Sequence, residues 1–461
     1  MINQEKLNFL VKHLINSGAT RVLRVGGDIR DELLKLDSKD LDIEVYGLTL
    51  DKLIPSLEEL GKVDVVGKSF GVLKFHFKGY GNDVWDISIP RRDSKGAGDK
   101  HKDIIVTGDP FLPLEEAFKR RDFTINAIGK DLVTGDIIDI YKGQEDLKNK
   151  IIRAVDKNTF TEDPLRVLRA MQFTGRFNFT IEPETVRLAK EVNLSELSKE
   201  RVRDEIFKLL LKSSNPSIGF NTGLELNVME KLFPSLYAMK NFPQNPEWHP
   251  EGCVWTHTMI TLDHAVKLSE NLDETRKLTL LLAALCHDIG KPLINWNEDN
   301  RTIGHDLTGA EIARNLLIEL KIFSLGNFPL QDVVVALISC HMRPWNLWEK
   351  KETLTKRAWT KLRQDVLDET ELIILLDLSD RLGRSEESKD WDEKAEWLKE
   401  QFKIHAPDET MKPLILGRHL LPLGYKASPQ LGRELKRLYE LQLEGKFSDF
   451  EEGLKLVNLP K

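Results

Sequence analysis

The apolar periodicity of this chain changes once, and that change limits the folds open to it. Through residues 1–150 short apolar runs alternate with polar residues at the period of a strand; from about Thr161 they recur at helical spacing almost to the end. Arg21–Val25, Leu41–Tyr46, Gly71–Phe77 and Asp83–Ser88 read as strands, and Asp28–Lys35 as a helix. Arg91–Lys102 reads as a polar, basic loop too charged and Gly-rich to pack. At 461 residues the chain exceeds one ordinary core. Pro243, Pro246 and Pro250 mark one boundary, and the charged stretch Arg384–Lys389 a second. The tail from Lys412 reads as short helices joined at Gly417, Gly424 and Gly445. The expectation is an α+β protein: an α/β head with a small mixed sheet (1–150), then an elongated all-α body in three parts (151–242, 243–385 and 386–461).

No run approaches the roughly 18 apolar residues of a membrane span. Met1–Lys6 lacks a charged-then-apolar leader pattern, so a cytoplasmic location is expected. Cys253, Cys286 and Cys340 lack paired spacing and read as small buried hydrophobes. A net charge of −7 argues against a generic nucleic-acid coat but leaves room for a local basic face.

Asp40-Leu41-Asp42 follows shortly after Val25-Gly26-Gly27-Asp28-Ile29-Arg30-Asp31. On a strand, residues two apart share a face, so Asp40 and Asp42 would aim two carboxylates at one spot. Hard oxygen ligands beside a Gly-Gly turn are what a pair of Mg²⁺ ions needs to manage a triphosphate. Read alone, the Gly-Gly is equally a simple strand-to-helix turn, with Asp28 a candidate cap and Arg30 a phosphate contact or a carboxylate's partner. Glu44 continues the face of Asp40 and Asp42 or is a solvated strand residue, and Asp86 is a possible third carboxylate.

Lys119-Arg120-Arg121-Asp122-Phe123-Thr124-Ile125-Asn126 places guanidinium forks suited to phosphate beside Asp122 and Asn126, suited to sugar hydroxyls. It is also what a charged helix start looks like. Farther on, Asp163, Arg166, Arg169 and Gln172 recur every three residues, as if on one helix face. Cytosine and adenine both present an amino donor next to a ring acceptor. A carboxylate and a guanidinium, Asp163 and Arg166, would admit C and A and refuse U and G. A solvated, salt-bridged face would show the same spacing.

In the second half, His257, His287-Asp288, His305, His341 and Asp380 form a progression; His264 is left as structural. Each histidine alone would pass for an ordinary core or surface residue. Imidazole and carboxylate together suit a divalent ion such as Mn²⁺, Fe²⁺, Co²⁺, Ni²⁺ or Mg²⁺, and with no thiolate in the pattern structural zinc is disfavoured.

Taken in order, the G-G-x-x-R-D turn, the D-x-D, R-R-D-F-T-I-N-A, E-D-P-L-R-V-L-R and Ser198–Glu205 resemble the class II tRNA nucleotidyltransferase and poly(A) polymerase family over about the first 220 residues. Gln172 departs from the arginine usual there, and Gly26–Asp31 departs from G-G-x-V-R-D at Ile29. The resemblance implies addition of CCA, or part of it, to tRNA from CTP and ATP. Asp40 and Asp42 would be the catalytic Mg²⁺ ligands, and Gly26, Gly27, Arg30, Arg121, Asp122, Asn126, Asp163, Arg166 and Arg169 would bind nucleotide. The Ser198–Glu205 helix start would brace the nucleotide-binding helix.

The histidine progression resembles an HD-type phosphohydrolase, which implies His257, His287, Asp288 and Asp380 as ligands of a divalent metal, with His305 and His341 as additions. Phosphatase or 2′,3′-cyclic phosphodiesterase activity would follow. Leu416–Gly424 and Gln430–Lys436 are similar to the family's tRNA-cradling tail, which implies RNA contacts at Arg418, Arg433 and Lys436, with Lys426 and Arg437 nearby. A poly(A) polymerase, a partial CC- or A-adding enzyme, and a phosphohydrolase acting mainly through the HD part are the alternatives.

Overall fold

The computed structural model describes residues 4–36, 41–66, 72–78, 84–95, 104–296, 302–352, 354, 356–384, 391–405 and 413–459. Asp40, Gly71, Asp83, most of the 91–102 stretch, residues 385–389 and Lys412 therefore lie outside the described residues. The chain divides into two compact units, Met1–Leu209 with Ile218–Leu232, and Leu210–Ser217 with Phe233–Lys461. No described helix is long and apolar enough to cross a membrane.

The first unit is built on a seven-stranded mixed sheet in the order β3-β4-β5-β2-β1-β8-β9. Its strands are β1 (Arg21–Val25), β2 (Asp42–Tyr46), β3 (Gly61–Val66), β4 (Val72–Phe77), β5 (Val84–Ser88), β8 (Gly129–Asp131) and β9 (Ile137–Ile138). β2 runs antiparallel to β1 and parallel to β5, with Asp42 opposite Asp86. The strands match the apolar alternation in the sequence. Val22, Ile43, Val45, Phe75 and Ile87 face a core closed by Leu7, Leu10 and Leu14 of the helix Gln4–Asn16. Burying one such side chain contributes roughly 1.5–3 kcal/mol. Leu23, Val25 and Tyr46 face the other way, onto Phe118 and Ala127.

Two local expectations change. The helix after β1 spans Gly27–Leu33 rather than Asp28–Lys35, because the chain turns left-handed at Lys35 (φ 58°). Arg91–Lys95 is a strand rather than loop: as β6 it pairs with β7 (Ile104–Gly108), an apolar run that gives the basic residues a partner. The unit continues into helices Lys157–Glu162, Leu165–Phe177 and Lys199–Lys212.

Among its described residues the second unit is helical apart from one isolated bridge, Leu325 to Phe328. Helices Val254–Leu268, Glu274–Cys286, His305–Glu319, Leu330–Cys340 and Thr370–Leu382 carry the histidines and Asp380. The tail has its own small core of Ile415, Leu420, Tyr425, Leu438 and Phe447, around the helix Pro429–Leu443. Gly424 and Gly445 adopt positive φ at its turns.

Candidate functional site

Alternation along β2 sends Ile43 and Val45 into the helix-covered core, which leaves Asp42 and Glu44 on the opposite face. Parallel register brings Asp86 to the position beside Asp42 on the same face. Asp40, the other half of the D-x-D, lies outside the described residues. Gly26 ends β1 at φ 74°, where a Cβ would sit 2.9 Å from Arg121 Nη1 and 3.9 Å from Asp42 Oδ2. The positive φ favours glycine there, and the missing side chain leaves room for the Arg121 guanidinium. The fold thus joins the Gly-Gly turn, Asp42 and Arg121, which the sequence separates by up to 95 residues (121 − 26).

Asp28 does not cap the helix. It is buried and holds Arg24 bidentately, at 2.6 and 2.7 Å, while Gly26 occupies the cap position. Glu44 is no solvated strand residue. Its side chain is 1% exposed, accepts the Tyr46 hydroxyl at 2.7 Å, and lies 3.4 Å from Arg121 and 3.5 Å from Arg120.

A second network passes through the R-R-D-F-T-I-N segment. Arg30 donates to Asn126 at 2.5 Å and to Asp31 at 2.8 Å, Asn126 donates to Asp122 at 2.9 Å, and Arg169 donates to Asp122 at 2.6 Å. The Arg30 guanidinium also lies over the rings of Phe173 and Phe177. Burial alone would raise the Asp122 carboxyl, but Arg169, Asn126 and Arg166 hold it down to about 2.

Asp163 does not share a helix face with Arg166, Arg169 and Gln172. It occupies the extended break between Lys157–Glu162 and Leu165–Phe177, where Pro164 forbids helix at the residue before it. There it accepts from the Leu165 amide at 3.1 Å and from Arg201, in the Ser198–Glu205 segment, at 3.2 Å. Arg166 donates to the carbonyls of Arg120, Thr159 and Arg121. Gln172 is 3% exposed, and its amide nitrogen has no hydrogen-bond partner.

In the second unit His257, His287, Asp288, His305, His341 and Asp380 converge, all nearly or fully buried. The two oxygens of Asp288 divide the centre. Oδ2 is 3.3 Å from His287 Nε2 and 3.8 Å from His257 Nε2; Oδ1 is 3.3 Å from His305 Nε2 and 3.9 Å from His341 Nε2. Asp380 Oδ1 closes the first half, 2.9 Å from His257 Nε2.

His287, His305 and His341 each set Nδ1 against a backbone carbonyl, of Ala284, Thr302 and Ile338, at 2.9, 2.7 and 2.7 Å. A carbonyl only accepts, so each Nδ1 carries a proton and Nε2 is the atom turned into the centre. His305 Nε2 and His341 Nε2 then face each other at 3.2 Å, an arrangement that repels unless a cation or proton lies between them. His287 Nε2 is also buried without an aligned hydrogen bond. Burial and the neighbouring His305 and His287 push His341 down to about 3. These residues fit a divalent cation, with Asp288 between two halves. Cys286 is no ligand rival, because burial pushes its thiol up to about 12.

Sequence reasoning missed four neighbours of this centre. Lys291 donates to Asp288 at 2.7 Å, and Arg384 lies 3.5 Å from Asp380. Glu251 and His249 stand behind His257. Lys291 follows Asp288 by three residues and was legible as a helix-face neighbour; nothing periodic marks His249 or Glu251. Cys253 is half-buried rather than buried. In the tail Arg418, Lys426, Arg433 and Lys436 are exposed, whereas Arg437 is paired with Glu434 at 2.6 Å.

Three family descriptions match the chain in order: Poly A polymerase head domain over residues 22–153, probable RNA and SrmB-binding site of polymerase A over 178–239, and HD domain over 254–385. The multifunctional CCA protein of Mannheimia succiniciproducens is 39% identical over 306 residues, 65% of this chain and 69% of that one. That of Pasteurella multocida is 33% identical over 375 residues, 79% of this chain and 84% of that one. Among solved structures, the Bacillus stearothermophilus CCA-adding enzyme in complex with CTP superposes with a TM-score of 0.67 at 21% identity, covering 98% of this chain and 96% of that one. The Thermotoga maritima CCA-adding enzyme complexed with tRNA gives 0.59 at 22% identity, covering 98% and 95%. A mixed-sheet head, a helical body and a buried histidine centre thus agree with these matches, and the chain belongs to the multifunctional CCA proteins, nucleotidyltransferases that carry an HD domain.

Proposed function

We propose that this protein adds CCA to the 3′ ends of tRNA from CTP and ATP, with the protein as template, and that its HD centre hydrolyses phosphate esters. The observation that carries the first part is the meeting of Gly26, Asp42 and Arg121 on one face of the sheet. Asp40 and Asp42 would hold Mg²⁺, which when bound supplies the charge that activates a 3′-hydroxyl and neutralises pyrophosphate. Around it the chain's own groups position the nucleotide. The side-chain-free turn at Gly26 and Gly27 lets backbone approach the phosphates, and Arg121 supplies a fork for their oxygens. Asp122, Asn126 and Arg30 form one connected network beside it, so sugar contacts at any of them would be held rigidly.

Asp163 and Arg166 would read the base, one accepting from the amino group and the other donating to the ring nitrogen. Their present partners, Arg201 and three backbone carbonyls, are ones a bound base would replace in part. Arg169 would hold Asp122 in place while they do so. The functional parts would be a catalytic palm (1–150), a base- and RNA-binding neck (151–242), the HD domain (243–385) and a tRNA-binding tail (386–461) using Arg418, Arg433 and Lys436. A cytoplasmic location would follow from tRNA as substrate.

Incubation with tRNA ending at its discriminator base, CTP, ATP and Mg²⁺ tests the reading. Completed CCA supports it; CC or A alone narrows it to partial addition, a long A tail replaces it with poly(A) polymerase, and no product overturns it.

The HD reading rests on the convergence of His287, His305 and His341 Nε2 on the two oxygens of Asp288. His257, His287, Asp288 and Asp380 would hold a divalent metal with His305 and His341, and the metal when bound supplies an activated water and charge for the phosphate. Lys291, already on Asp288, would add positive charge toward a phosphate. Hydrolysis of a 2′,3′-cyclic nucleotide that needs a divalent metal and is lost in Asp288→Ala supports this; no hydrolysis with Mn²⁺, Co²⁺, Ni²⁺ or Mg²⁺ overturns it.

A further inference from the structure

The four histidines of the HD centre do not obtain their orientation in the same way. His287 and His341 follow the last turns of helices Glu274–Cys286 and Leu330–Cys340, where the final carbonyls are left with acceptor capacity. Each uses the carbonyl three residues back, Ala284 and Ile338. His305 opens a helix and uses Thr302 in the loop before it. His257 has no such carbonyl. It lies inside the helix Val254–Leu268, so the carbonyl three residues back, on Val254, belongs to the helix's own ladder.

A side chain stands where that carbonyl would be. Glu251 Oε1 lies 2.6 Å from His257 Nδ1, while His257 Nε2 makes an aligned hydrogen bond with Asp380 Oδ1 at 2.9 Å, the place a cation would take, and lies 3.8 Å from Asp288 Oδ2. The Glu251 side chain is 1% exposed, and His249 Nδ1 donates to the same Oε1 at 2.8 Å. Its second oxygen, Oε2, is buried with no hydrogen bond, and His257 Nδ1 meets Oε1 off the line of its N–H. Both unmet atoms belong to one pair.

We infer that Glu251 is a positioning residue of the HD centre: it keeps the proton of His257 on Nδ1, so that the Nε2 lone pair points at the cation, and His249 is the strap that holds the carboxylate there. The inference rests on the reading of this centre as a divalent-cation site. A carboxylate behind a ligating imidazole fixes its tautomer and ring plane and raises its basicity; removing such a partner typically costs roughly 10–100-fold in metal affinity or activity. Glu251 touches neither the cation nor a substrate in this scheme, so its effect must pass through His257.

Full-length protein, stripped with chelator, is titrated with Co²⁺ by visible absorption and with Mn²⁺ by calorimetry. Glu251→Gln, which keeps the shape but turns one oxygen into a donor, is expected to bind about 10–100-fold more weakly, with displaced Co²⁺ bands. Glu251→Asp, which keeps the charge, is expected to recover part of the loss, and His249→Gln to lose a few-fold. Melting of the stripped proteins checks that each variant is folded; if Glu251→Gln is not, Glu251→Asp and His249→Gln carry the same comparison. Affinities and Co²⁺ bands equal to wild type in the folded variants overturn the inference. Failure of the wild type to bind either ion, with Asp288→Ala indistinguishable from it, removes the cation reading underneath and this inference with it.

Discussion

The two candidate sites solve opposite electrostatic problems. In the first unit each charged group of the nucleotide network described above has a partner: Arg24 with Asp28, Arg30 with Asp31, Arg169 with Asp122, Arg201 with Asp163, and Arg166 with backbone carbonyls. In the second unit two buried carboxylates each serve several partners at once: Asp288 meets Lys291, His287 and His305, and Asp380 meets His257 and Arg384. His305 and His341 bring their Nε2 atoms within 3.2 Å of each other beside Asp288. A site whose charges are already paired exchanges partners when its ligand arrives, at modest cost, and suits a nucleotide that comes and goes. A site that gathers several imidazole nitrogens around two buried carboxylates suits a resident cation.

That contrast can be broken at several points. The largest effect is expected from Asp42→Ala: nucleotide addition falls by roughly 10³-fold or more, while tRNA binding and divalent-ion binding at the HD centre persist. Loss of both functions together would make the two sites one cooperative unit rather than two independent ones. Asp288→Ala is the reciprocal case. One carboxylate serves both halves of the HD centre, so divalent-ion binding is expected to disappear rather than weaken, with CCA addition intact. Retention of one tightly bound ion would show that the halves do not depend on Asp288.

Smaller effects test the paired site. Asp122→Asn removes the charge that holds Arg169 and leaves the Asn126 contact, and is expected to cost about 1–3 kcal/mol, read as a lower melting temperature. An unchanged melting temperature would mean that Arg169, a third exposed, is satisfied by water instead. Acid gives the smallest and most graded signal. The folded Asp122 carboxyl is held at about 2, below its ordinary value of 3.8. Its contribution is therefore complete above about pH 4 and is lost as pH falls through about 2. The gap in stability between wild type and Asp122→Asn is expected to close over that interval in an acid titration. A gap constant down to pH 2 would contradict the depressed carboxyl.

The parts of the fold that were legible are those where a local rule decides. The alternation of Val22, Leu23, Ile43 and Val45 places β1 and β2 and assigns their faces. Spacing by itself misled at Asp163. A three-residue repeat suggests one helix face, but Pro164 breaks the helix between Asp163 and Arg166. Arg91–Lys95 misled for another reason: a basic segment joins a strand when an apolar one lies beside it, and its partner Ile104–Gly108 stood beyond the expected loop. For Glu44 the site face and solvent stayed open alternatives, because nothing local says that Tyr46, Arg120 and Arg121 enclose it.

The sequence alone therefore determined which residue types were available and which family they match: a Gly-Gly turn, a D-x-D, a run of arginines and a string of histidines in order. Those follow from composition and spacing, which covalent chemistry carries along the chain. Only the tertiary structure decided the states of these groups. Which nitrogen of each histidine turns into the centre depends on whether a carbonyl or a glutamate stands behind it, and which arginine is already engaged depends on carbonyls and carboxylates far away in sequence. Hydrogen bonding and charge act through space over a few ångströms, and the folded backbone alone sets those distances.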